Sequence, residues 1–313
     1  MTKTTEFNNV FEILIYYELS ENGPVHIMRE SGDNKVYLIG EKDKKILRVS
    51  KRLPIEDVQF EYEVLKHLAN NNFPVPVWVK TKEGALYASI AGVAVAVMFE
   101  FLEGYHAPVN KDILPAIEQA HSAGRALGSM AEIGKTFKSS SFRRRNIFSE
   151  LERVLQNEEI FKNDFEGGDT FVEQVKQVIK FGQEAQTSIG LIHNDYRSGN
   201  VFFKNDNEIS GVIDFDWSCI GPHIKDLGLA VLEWSFSDGQ TEPDFTVFDA
   251  FLDGYNSIST QKYTKGKELY LWIMFAALSD ASTYFCDRLN QPNLVKDISS
   301  SHMYQKYLFF SKL

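Results

Sequence analysis

Residues that can bind a metal ion and accept a proton are concentrated within positions 191–217. Asp195 and Asn200 lie five residues apart, and Asp214 follows a short β-like run. A carboxylate can orient and deprotonate an attacking hydroxyl group, and carboxylate and amide oxygens are ligands that suit Mg²⁺. These residue types are therefore the ones that phosphoryl transfer requires. An ordinary turn, in which the polar side chains cap backbone groups, is the alternative interpretation.

The motif His193-x-Asp195 with Asn200, followed by Ile213-Asp214-Phe215, resembles the aminoglycoside phosphotransferase and choline kinase superfamily, which has a protein-kinase-like fold. The resemblance spans most of the chain. It implies that Asp195 is the catalytic base and that Asn200 and Asp214 are metal ligands. It further implies that Arg197 contacts the transferred phosphate and that His193 has a scaffold role. ATP and Mg²⁺ are the implied cofactors, and a small molecule with a hydroxyl group is the implied acceptor.

A fold of this kind also needs a cation on its third strand and a carboxylate on the helix that follows. Arg48 lies between apolar neighbours in a predicted strand, and Glu61 lies on the predicted helix 55–69. The resemblance implies that Arg48 contacts the nucleotide phosphates and that Glu61 orients it. Lys45 is the alternative cation and Glu63 the alternative carboxylate. By strand alternation alone, Arg48 could equally be an exposed residue.

Two further segments are candidates for contacts with the nucleotide. Gly32 and Asn34 lie between two predicted strands, where a phosphate-covering loop would sit, and a plain hairpin turn is the alternative. Glu100 and Leu102 follow an apolar strand at the position of the hinge between the lobes in kinases of this type. There the resemblance implies that adenine pairs with backbone groups.

The acceptor is expected to contact side chains of the helical half of the chain. Glu233, Trp234, Asp280 and Tyr284 are the candidates, and Asp280 is unusual inside an otherwise apolar predicted helix. An acidic pocket would suit an acceptor that carries an amine. Alternatively, the two aromatic residues belong to the core and Asp280 faces solvent or caps a neighbouring turn.

Segments that include 73–76, 226–229 and 251–255 look most like the homoserine kinase-like branch, which implies homoserine, an amino alcohol or a sugar as the acceptor. Asp226 matches a position that braces the catalytic loop in the family. Asn194 departs from the branch, because glycine is commoner directly before the catalytic aspartate. An antibiotic-modifying aminoglycoside phosphotransferase is the alternative enzyme, and a nucleotide-binding pseudokinase is the alternative from another class.

The composition predicts a folded protein with a negative surface. The 313 residues are 43% hydrophobic and 24% charged, and 33 Lys and Arg against 43 Asp and Glu give a net charge of −10. This charge disfavours nucleic-acid and anionic membrane partners. Two cysteines fit a reducing compartment, and the first residues lack a signal-peptide pattern. We therefore expect a cytoplasmic protein without a membrane span. The basic cluster at 142–146 is interpreted as a solvated turn.

The pattern of elements changes after Glu103. Residues 25–103 contain alternating β-branched segments and one helical stretch, whereas the residues beyond Gly104 are mostly helical around a β-rich island at 191–212. We therefore predict a bilobal α+β fold. Residues 1–103 would form a nucleotide-binding lobe and residues 104–313 a catalytic and acceptor-binding lobe, with the ligand site in a cleft between the two.

The boundaries of the predicted elements follow from periodicity and from Gly, Pro and Asn signals. A leading helix is predicted at 7–19, and the strands of the first lobe are predicted at 36–39, 46–49, 77–79, 86–90 and 93–101. Besides 55–69, helices are predicted at 113–131, 147–156, 171–190, 245–257 and 266–289.

Overall fold

The structure of the protein is a computed structural model that describes residues 10–17, 19, 23–31, 34–51, 54–90, 94–108, 113–237 and 239–313. The chain divides into two units. The first contains the residues up to Glu103 together with Ser139–Arg143, and the second contains Gly104–Lys138 and Arg144–Leu313. The sequence pattern carries no signal for the membership of Ser139–Arg143 in the first unit.

An antiparallel sheet forms much of the first unit. Its strands are β1 (Val25–Ser31), β2 (Asn34–Ile39), β3 (Lys45–Ser50), β4 (Trp78–Val79), β5 (Ala88–Ile90) and β6 (Ala94–Glu100). The strand order is β1-β2-β3-β6-β4, and β5 also pairs with β6. Because β6 pairs with three strands and is buried along nearly its whole length, its sequence is continuously apolar. The antiparallel sheet predicted from the sequence is confirmed.

The two faces of β3 have different neighbours. Successive strand residues point to opposite faces, so Leu47 and Val49 enter the hydrophobic cluster of the first unit while Arg48 points to the other side. The helical turn α1 (Phe11–Leu14) contributes Ile13 to the same cluster. The prediction of a helix that continues to residue 19 is wrong, because one isolated turn has little helical stability beyond its packed residues.

Helix α2 (Ile55–Asn70) lies where the sequence predicts it. Pro54 precedes the helix in an extended conformation, and Glu56 in the first turn complements the positive end of the helix dipole. Asn72 ends the helical segment with a left-handed φ of 58°. The buried side of α2 includes Leu65 and Leu68. The apolar residues that recur at helical spacing in the sequence therefore form the packed side of the helix.

The second unit is mostly helical. Its helices are α3 (Ile117–Gly134), α4 (Ser149–Gln156), α5 (Glu158–Asp164), α6 (Gly168–Glu184), α7 (His223–Ser235), α8 (Phe245–Ile258), α9 (Lys267–Cys286) and α10 (His302–Phe310). Helices α3 and α8 approach each other at glycines: a Cβ atom on Gly124 would lie 2.0 Å from the carbonyl oxygen of Phe251. Only glycine fits there, which allows the two helix backbones to come into direct contact.

Helix α9 is long and apolar enough, by length and composition, to cross a membrane, and 56% of its apolar window is buried inside the fold. It packs against α4, α6, α7 and α10. Its fully buried residues include Trp272, Phe275 and Phe285. The apolar character of α9 is therefore accounted for by its position among other helices.

The β-rich island consists of short strands. These are β7 (Tyr105–His106), β8 (Ile189–Ile192), β9 (Val201–Asn205), β10 (Glu208–Val212) and β11 (Cys219–Pro222). Strand β9 lies between β7 and β10, and β8 pairs with β11. The helix predicted at 171–190 is therefore wrong at its end: α6 stops at Glu184, because Ile189 and the residues after it are paired with β11.

The boundaries of three other predicted helices differ from the structure. The helix predicted at 147–156 begins at Ser149. The helix predicted at 113–131 begins at Ile117, because Pro115 disfavours a helical conformation in the residue before it. The helix predicted at 266–289 ends at Cys286. The helix at 245–257 matches α8, which runs one residue further.

Candidate functional site

The residues of the phosphoryl-transfer motif lie in the loop 193–200 of the second unit. Strand β8 ends at Ile192, which is paired with Cys219, and strand β9 begins at Val201. The loop between them closes with a 3-10 turn, Ser198–Asn200. The two strands therefore fix both ends of the 193–200 loop.

Asp195 is held by two neighbours in this loop. Arg197 Nε donates a hydrogen bond to Asp195 Oδ1 at 2.7 Å, and Arg197 Nη2 donates to the same oxygen. Asn200 Nδ2 donates to Asp195 Oδ2 at 3.0 Å and to the Asp195 carbonyl oxygen at 2.8 Å. Both carboxylate oxygens and the main chain of Asp195 are thus fixed. A group that takes part in a reaction works best when it is held in position beforehand.

The Ile213 peptide places Asp214 beside this loop. Its N–H group donates to the carbonyl oxygen of Asn200 at 2.9 Å, and its carbonyl oxygen accepts a hydrogen bond from His193 Nε2 at 2.9 Å. Asp214 follows directly, with a left-handed φ of 68°. This conformation is uncommon outside Gly, Asn and Asp. The structure therefore brings the backbone of Asp214 next to Asn200, on the loop that carries Asp195.

His193 joins the segments without entering their chemistry. Its side chain is fully buried, and its Nδ1 accepts a hydrogen bond from the Asp195 N–H group at 3.3 Å while Nε2 donates to Ile213. Asp226, in the first turn of α7, accepts hydrogen bonds from the N–H groups of His193 and Asn194, each at 2.8 Å. This is the bracing contact that the resemblance implies for Asp226.

The charges around Asp195 oppose one another. Burial raises the pKa of Asp195, the positive charge of Arg197 opposes that rise, and the nearby negative charge of Asp214 adds to it. Burial alone would lower the pKa of Arg197, yet its carboxylate neighbours, Asp195 first among them, raise it. A carboxylate with a raised pKa is a stronger base toward a hydroxyl proton, and Arg197 remains fully charged beside it.

The donor set fits a magnesium ion that is shared with phosphate oxygens. The amide nitrogen of Asn200 donates to Asp195. The other amide atom, Asn200 Oδ1, has no hydrogen-bond partner among the described residues. Asp214 follows the residue bonded to Asn200. Within the described ranges, no three His, Cys, Asp or Glu side chains form a metal cluster of their own. One carboxylate and one amide oxygen are consistent with Mg²⁺ coordination, because this ion is usually held by few protein ligands together with substrate phosphates.

Arg48 and Glu61 form a buried ion pair in the first unit. Arg48 Nη2 donates to Glu61 Oε2 at 2.5 Å, and the two side chains are 9% and 3% exposed. The ring of Phe99 on β6 lies under the guanidinium group at 5.6 Å. The alternative in which Arg48 is an exposed strand residue is therefore wrong, because its side chain is buried and paired with Glu61 of α2.

The two alternative residues have other partners. Lys45, on the opposite side of β3 from Arg48, binds Asp43 at 2.6 Å and Glu100 at 2.7 Å. Glu63 accepts hydrogen bonds from a row of three serines, Ser139, Ser140 and Ser141. The structure thus pairs Arg48 with Glu61 and engages Lys45 and Glu63 elsewhere in the first unit.

The other nucleotide candidates are described only in part. Gly32 lies outside the described residues. Asn34 begins β2 opposite Ser31, and its Oδ1 is buried without a hydrogen-bond partner in the described part of the chain. Glu100 closes β6, where its carboxylate binds Lys45. Leu102 is half-buried, and its backbone takes no part in the hydrogen bonds of the described residues.

The structure separates the four acceptor candidates. Trp234 is fully buried and packs on Tyr196 and Phe251, so it is a core residue. Tyr284 is 38% exposed. Glu233 and Asp280 are half-buried and lie within charge range of Arg197, as does Asp195.

Asp280 has an unusual environment for a carboxylate. Burial and the charge of Glu233 raise its pKa to about 6, against the opposing charge of Arg197. Asp280 is half-buried, so it does not stand freely in solvent. Lys306 of α10 adds a second cation 3.9 Å from Glu233.

The sequence analysis misses two cations of the second unit and misinterprets one of the first. Lys225 and Lys306 lie in helices without a motif, and both are directed into the second unit. Arg143 belongs to the basic cluster that the sequence analysis interprets as a solvated turn. Its side chain is 6% exposed and pairs with Asp57 at 3.1 Å, so that interpretation is wrong for this residue.

Comparison with known proteins identifies the family. Residues 28–269 match the model of the phosphotransferase enzyme family named APH. The chain belongs to this family. The APH family match covers β2 to β11 and the 193–200 loop, so the resemblance inferred from the motif is confirmed. The protein is accordingly a phosphotransferase that acts on the hydroxyl group of a small molecule.

Relatives of this APH family member include homoserine kinases. The chain is 27% identical over 298 residues to a homoserine kinase of Rhodopseudomonas palustris, covering 91% of this chain and 86% of the relative. It is 30% identical over 250 residues to one of Methylobacterium nodulans, covering 77% and 73% of the two chains. The structure of an amicoumacin kinase superposes with a TM-score of 0.75 at 16% identity, over 96% of this chain and 91% of the other, which confirms the protein-kinase-like fold.

Proposed function

We propose that the protein is an ATP- and Mg²⁺-dependent kinase that phosphorylates the hydroxyl group of a small zwitterionic acceptor, with homoserine as the first candidate. The observation that carries this proposal is the arrangement around the 193–200 loop. There Asn200 binds the Asp195 carboxylate and also accepts the Ile213 N–H group that precedes Asp214. A base and two hard oxygen donors in direct succession are what phosphoryl transfer needs from a protein.

In this proposal Asp195 acts on the acceptor. Its carboxylate orients the hydroxyl group and takes the proton as the hydroxyl oxygen bonds to the γ-phosphorus of ATP. The bond between the γ-phosphorus and the bridging oxygen breaks, and ADP leaves with that electron pair. Arg197, already fixed beside Asp195, stabilises negative charge on the phosphoryl group during the transfer.

Asn200 Oδ1 and the carboxylate of Asp214 would hold Mg²⁺, which when bound neutralises charge on the phosphate oxygens. Asn200 has a second task, because its amide group keeps Asp195 Oδ2 in place. The same side chain would therefore align the base and the metal ligand.

The first unit would bind the nucleotide. Arg48 would neutralise charge on the phosphates, and Glu61 holds its guanidinium group in a fixed position. The Glu100 and Leu102 backbone would pair with adenine, and the segment with Gly32 and Asn34 would cover the phosphates. The second unit would then supply catalysis and acceptor binding.

A mixed set of charges supports a zwitterionic acceptor. Glu233 and Asp280 are suited to an ammonium group, whereas Arg197 and Lys306 lie close enough to attract a carboxylate. An aminoglycoside carries several positive charges and no carboxylate, so the two cations would oppose it. The homoserine kinases among the relatives agree with this reasoning.

The proposal is tested by Mg²⁺-dependent ADP release with homoserine, choline, ethanolamine, hexosamines and aminoglycosides as acceptors. We expect homoserine to raise turnover. Asp195→Asn should lower kcat by a factor of about 10² to 10⁴, the usual contribution of a general base, and leave nucleotide affinity nearly unchanged. Asp253→Asn, at an exposed position on α8, is the matched control and should retain full activity.

Each other outcome contradicts a specific part of the proposal. Turnover with aminoglycosides alone would show that the acceptor is an aminoglycoside and not a zwitterionic small molecule. ATP binding without transfer to any acceptor would indicate a pseudokinase. Near-full turnover by Asp195→Asn would show that another group is the base.

A further inference from the structure

Lys225 is a buried cation that has no part in the steps above. It lies in the first turn of α7 and is 3% exposed. Burial lowers the pKa of its ammonium group, against the raising effect of Asp226. Lys225 Nζ donates a hydrogen bond to Asn194 Oδ1, its partner within the described part of the chain. Buried charges persist in proteins where they are paired, so this contact needs an explanation.

Asn194 is the residue directly before Asp195, and its backbone is constrained. Its φ is 65°, in the left-handed region that costs most residues about 1 kcal/mol or more, although Asn tolerates it better than most. Glycine would adopt the same φ without strain. Glycine has no side chain, however, so it could not accept the hydrogen bond of Lys225.

The Asn194 side chain links three parts of the second unit. Its Oδ1 binds Lys225 on α7, and its Nδ2 donates to the carbonyl oxygen of Trp217 at 3.2 Å. Trp217 ends the short turn that follows Asp214. The side chain therefore connects the 193–200 loop with α7 and with the turn next to the proposed metal ligand.

We propose that Lys225 is a positioning residue for phosphoryl transfer, which holds the Asn194 side chain and thereby fixes Asp195 relative to Asp214. Asp226, the next residue of α7, holds the main-chain N–H group of Asn194. Two consecutive residues of one helix turn thus fix the main chain and the side chain of the same loop residue. The inference rests on the proposed role of Asp195 as the base.

The surroundings explain why the donor is a cation. The carboxylates that act on Lys225 are Asp226, Asp280 and Asp195, and all of them favour its charged form. A neutral side chain at 225 would leave these three carboxylates without the compensating charge of Lys225, and Asn194 Oδ1 would be buried without a donor. An unsatisfied buried polar atom is costly, so the loop would move to solvate it.

A double-mutant cycle tests the proposal. The variants are Lys225→Met, Asn194→Gly and the combination of both. We expect each single variant to lower kcat about tenfold, with the KM values for nucleotide and acceptor within about twofold of wild type. The double variant should lose no more than Asn194→Gly alone, about tenfold, because the contact with Lys225 is already absent from that variant. Asn72→Gly is the matched control: this exposed residue has a similar left-handed φ of 58°, and its kcat should not change.

Two results would overturn the proposal. A double variant that loses about a hundredfold would mean that the two residues act independently. An Asn194→Gly enzyme with wild-type kcat would mean that the contact does not position the base, whatever its effect on stability.

A second measurement does not depend on activity. Amide hydrogen exchange in peptides that span the 193–200 loop should become faster in both single variants and stay unchanged in the rest of the second unit. Equal exchange in wild type and Lys225→Met would refute the inference. If no acceptor is phosphorylated, the proposed function fails, and this exchange still decides whether Lys225 holds the loop. Should Lys225→Met not fold, Asn194→Gly supplies both readouts.

Discussion

At the scale of single residues, the proposed acceptor site predicts that acceptor binding depends on the ionisation of Asp280. Burial and the charge of Glu233 raise its pKa to about 6, while Arg197 and Lys306 oppose that rise. An ammonium group binds the ionised carboxylate, so the KM of an amine-bearing acceptor should fall as the pH rises from about 5 to about 7. Asp280→Asn should raise this KM about tenfold at neutral pH, since a charge-assisted hydrogen bond is lost. The measurement is acceptor KM against pH for both enzymes.

The control for this experiment is Asp253→Asn. This substitution causes the same change in charge at an exposed position on α8. It should keep the wild-type pH profile of acceptor KM. A profile that persists in Asp280→Asn would assign the titration to another group.

At the scale of elements, the contact between α2 and the serine row at 139–141 should respond to acid. Partial burial alone would raise the pKa of Glu63, but hydrogen bonds from Ser139, Ser140, Gln59 and Ser141 lower it to about 2. A lowered pKa means that the ionised group stabilises the fold at neutral pH. This stabilisation is lost as the pH falls from the ordinary value of 4.5 through about 2.

Glu63→Gln should therefore lower the Tm at pH 7, and its difference from wild type should vanish near the pKa of about 2. Thermal melts at a series of pH values measure this. Glu83→Gln, in an exposed turn of the first unit, is the matched control. A constant difference at every pH would contradict the role of the Glu63 charge.

The contact between α3 and α8 leads to a second prediction about elements. A methyl group on Gly124 would overlap the backbone of α8 at Phe251. Because a backbone cannot rotate away as a side chain can, Gly124→Ala should reduce the free energy of unfolding by about 1–3 kcal/mol. Urea denaturation measures the loss. In the control Gly266→Ala the new Cβ meets nothing within 4 Å, and a similar loss there would refute the packing argument.

At the scale of the whole molecule, the chain contributes to the first unit twice, and Arg143 shows what the second contribution does. Its side chain is 6% exposed, pairs with Asp57 and lies 5.4 Å from the ring centre of Phe60. Removing one partner of a buried ion pair costs about 3–5 kcal/mol. Arg143→Ala should thus destabilise the protein, seen as a lower Tm in calorimetry, whereas Arg144→Ala, at an exposed position, should not. Equal effects would contradict this.

The sequence predicts those parts of the molecule whose residues lie close together along the chain. Asp195, Asn200 and Asp214 lie within 20 positions, and the loop and hairpin that join them are local structures. Helix α2 was also predictable, because its apolar period is uninterrupted. The contact of Lys225 with Asn194 joins residues 31 positions apart. No periodicity encodes such a pair, which depends on how α7 packs.

The errors in element type have the same origin. Ile189 and Gly190, at the end of the helix predicted at 171–190, fit a helical continuation of α6 equally well. Only their pairing with Pro222 and Gly221 of β11 makes them part of a strand. The contact of the serine row at 139–141 with Glu63 likewise could not be predicted from the sequence, because Glu63 lies more than 70 positions earlier.

The double contribution of the chain to the first unit also has a consequence for biosynthesis. When Glu103 has been translated, the segment that completes this unit, Ser139–Arg143, does not yet exist. At about 5–20 residues per second, the ribosome needs about 2–8 s to add it. During that interval the nascent α2 has neither Arg143 for Asp57 nor the serines for Glu63. The first unit is therefore finished only after the ribosome has begun the second.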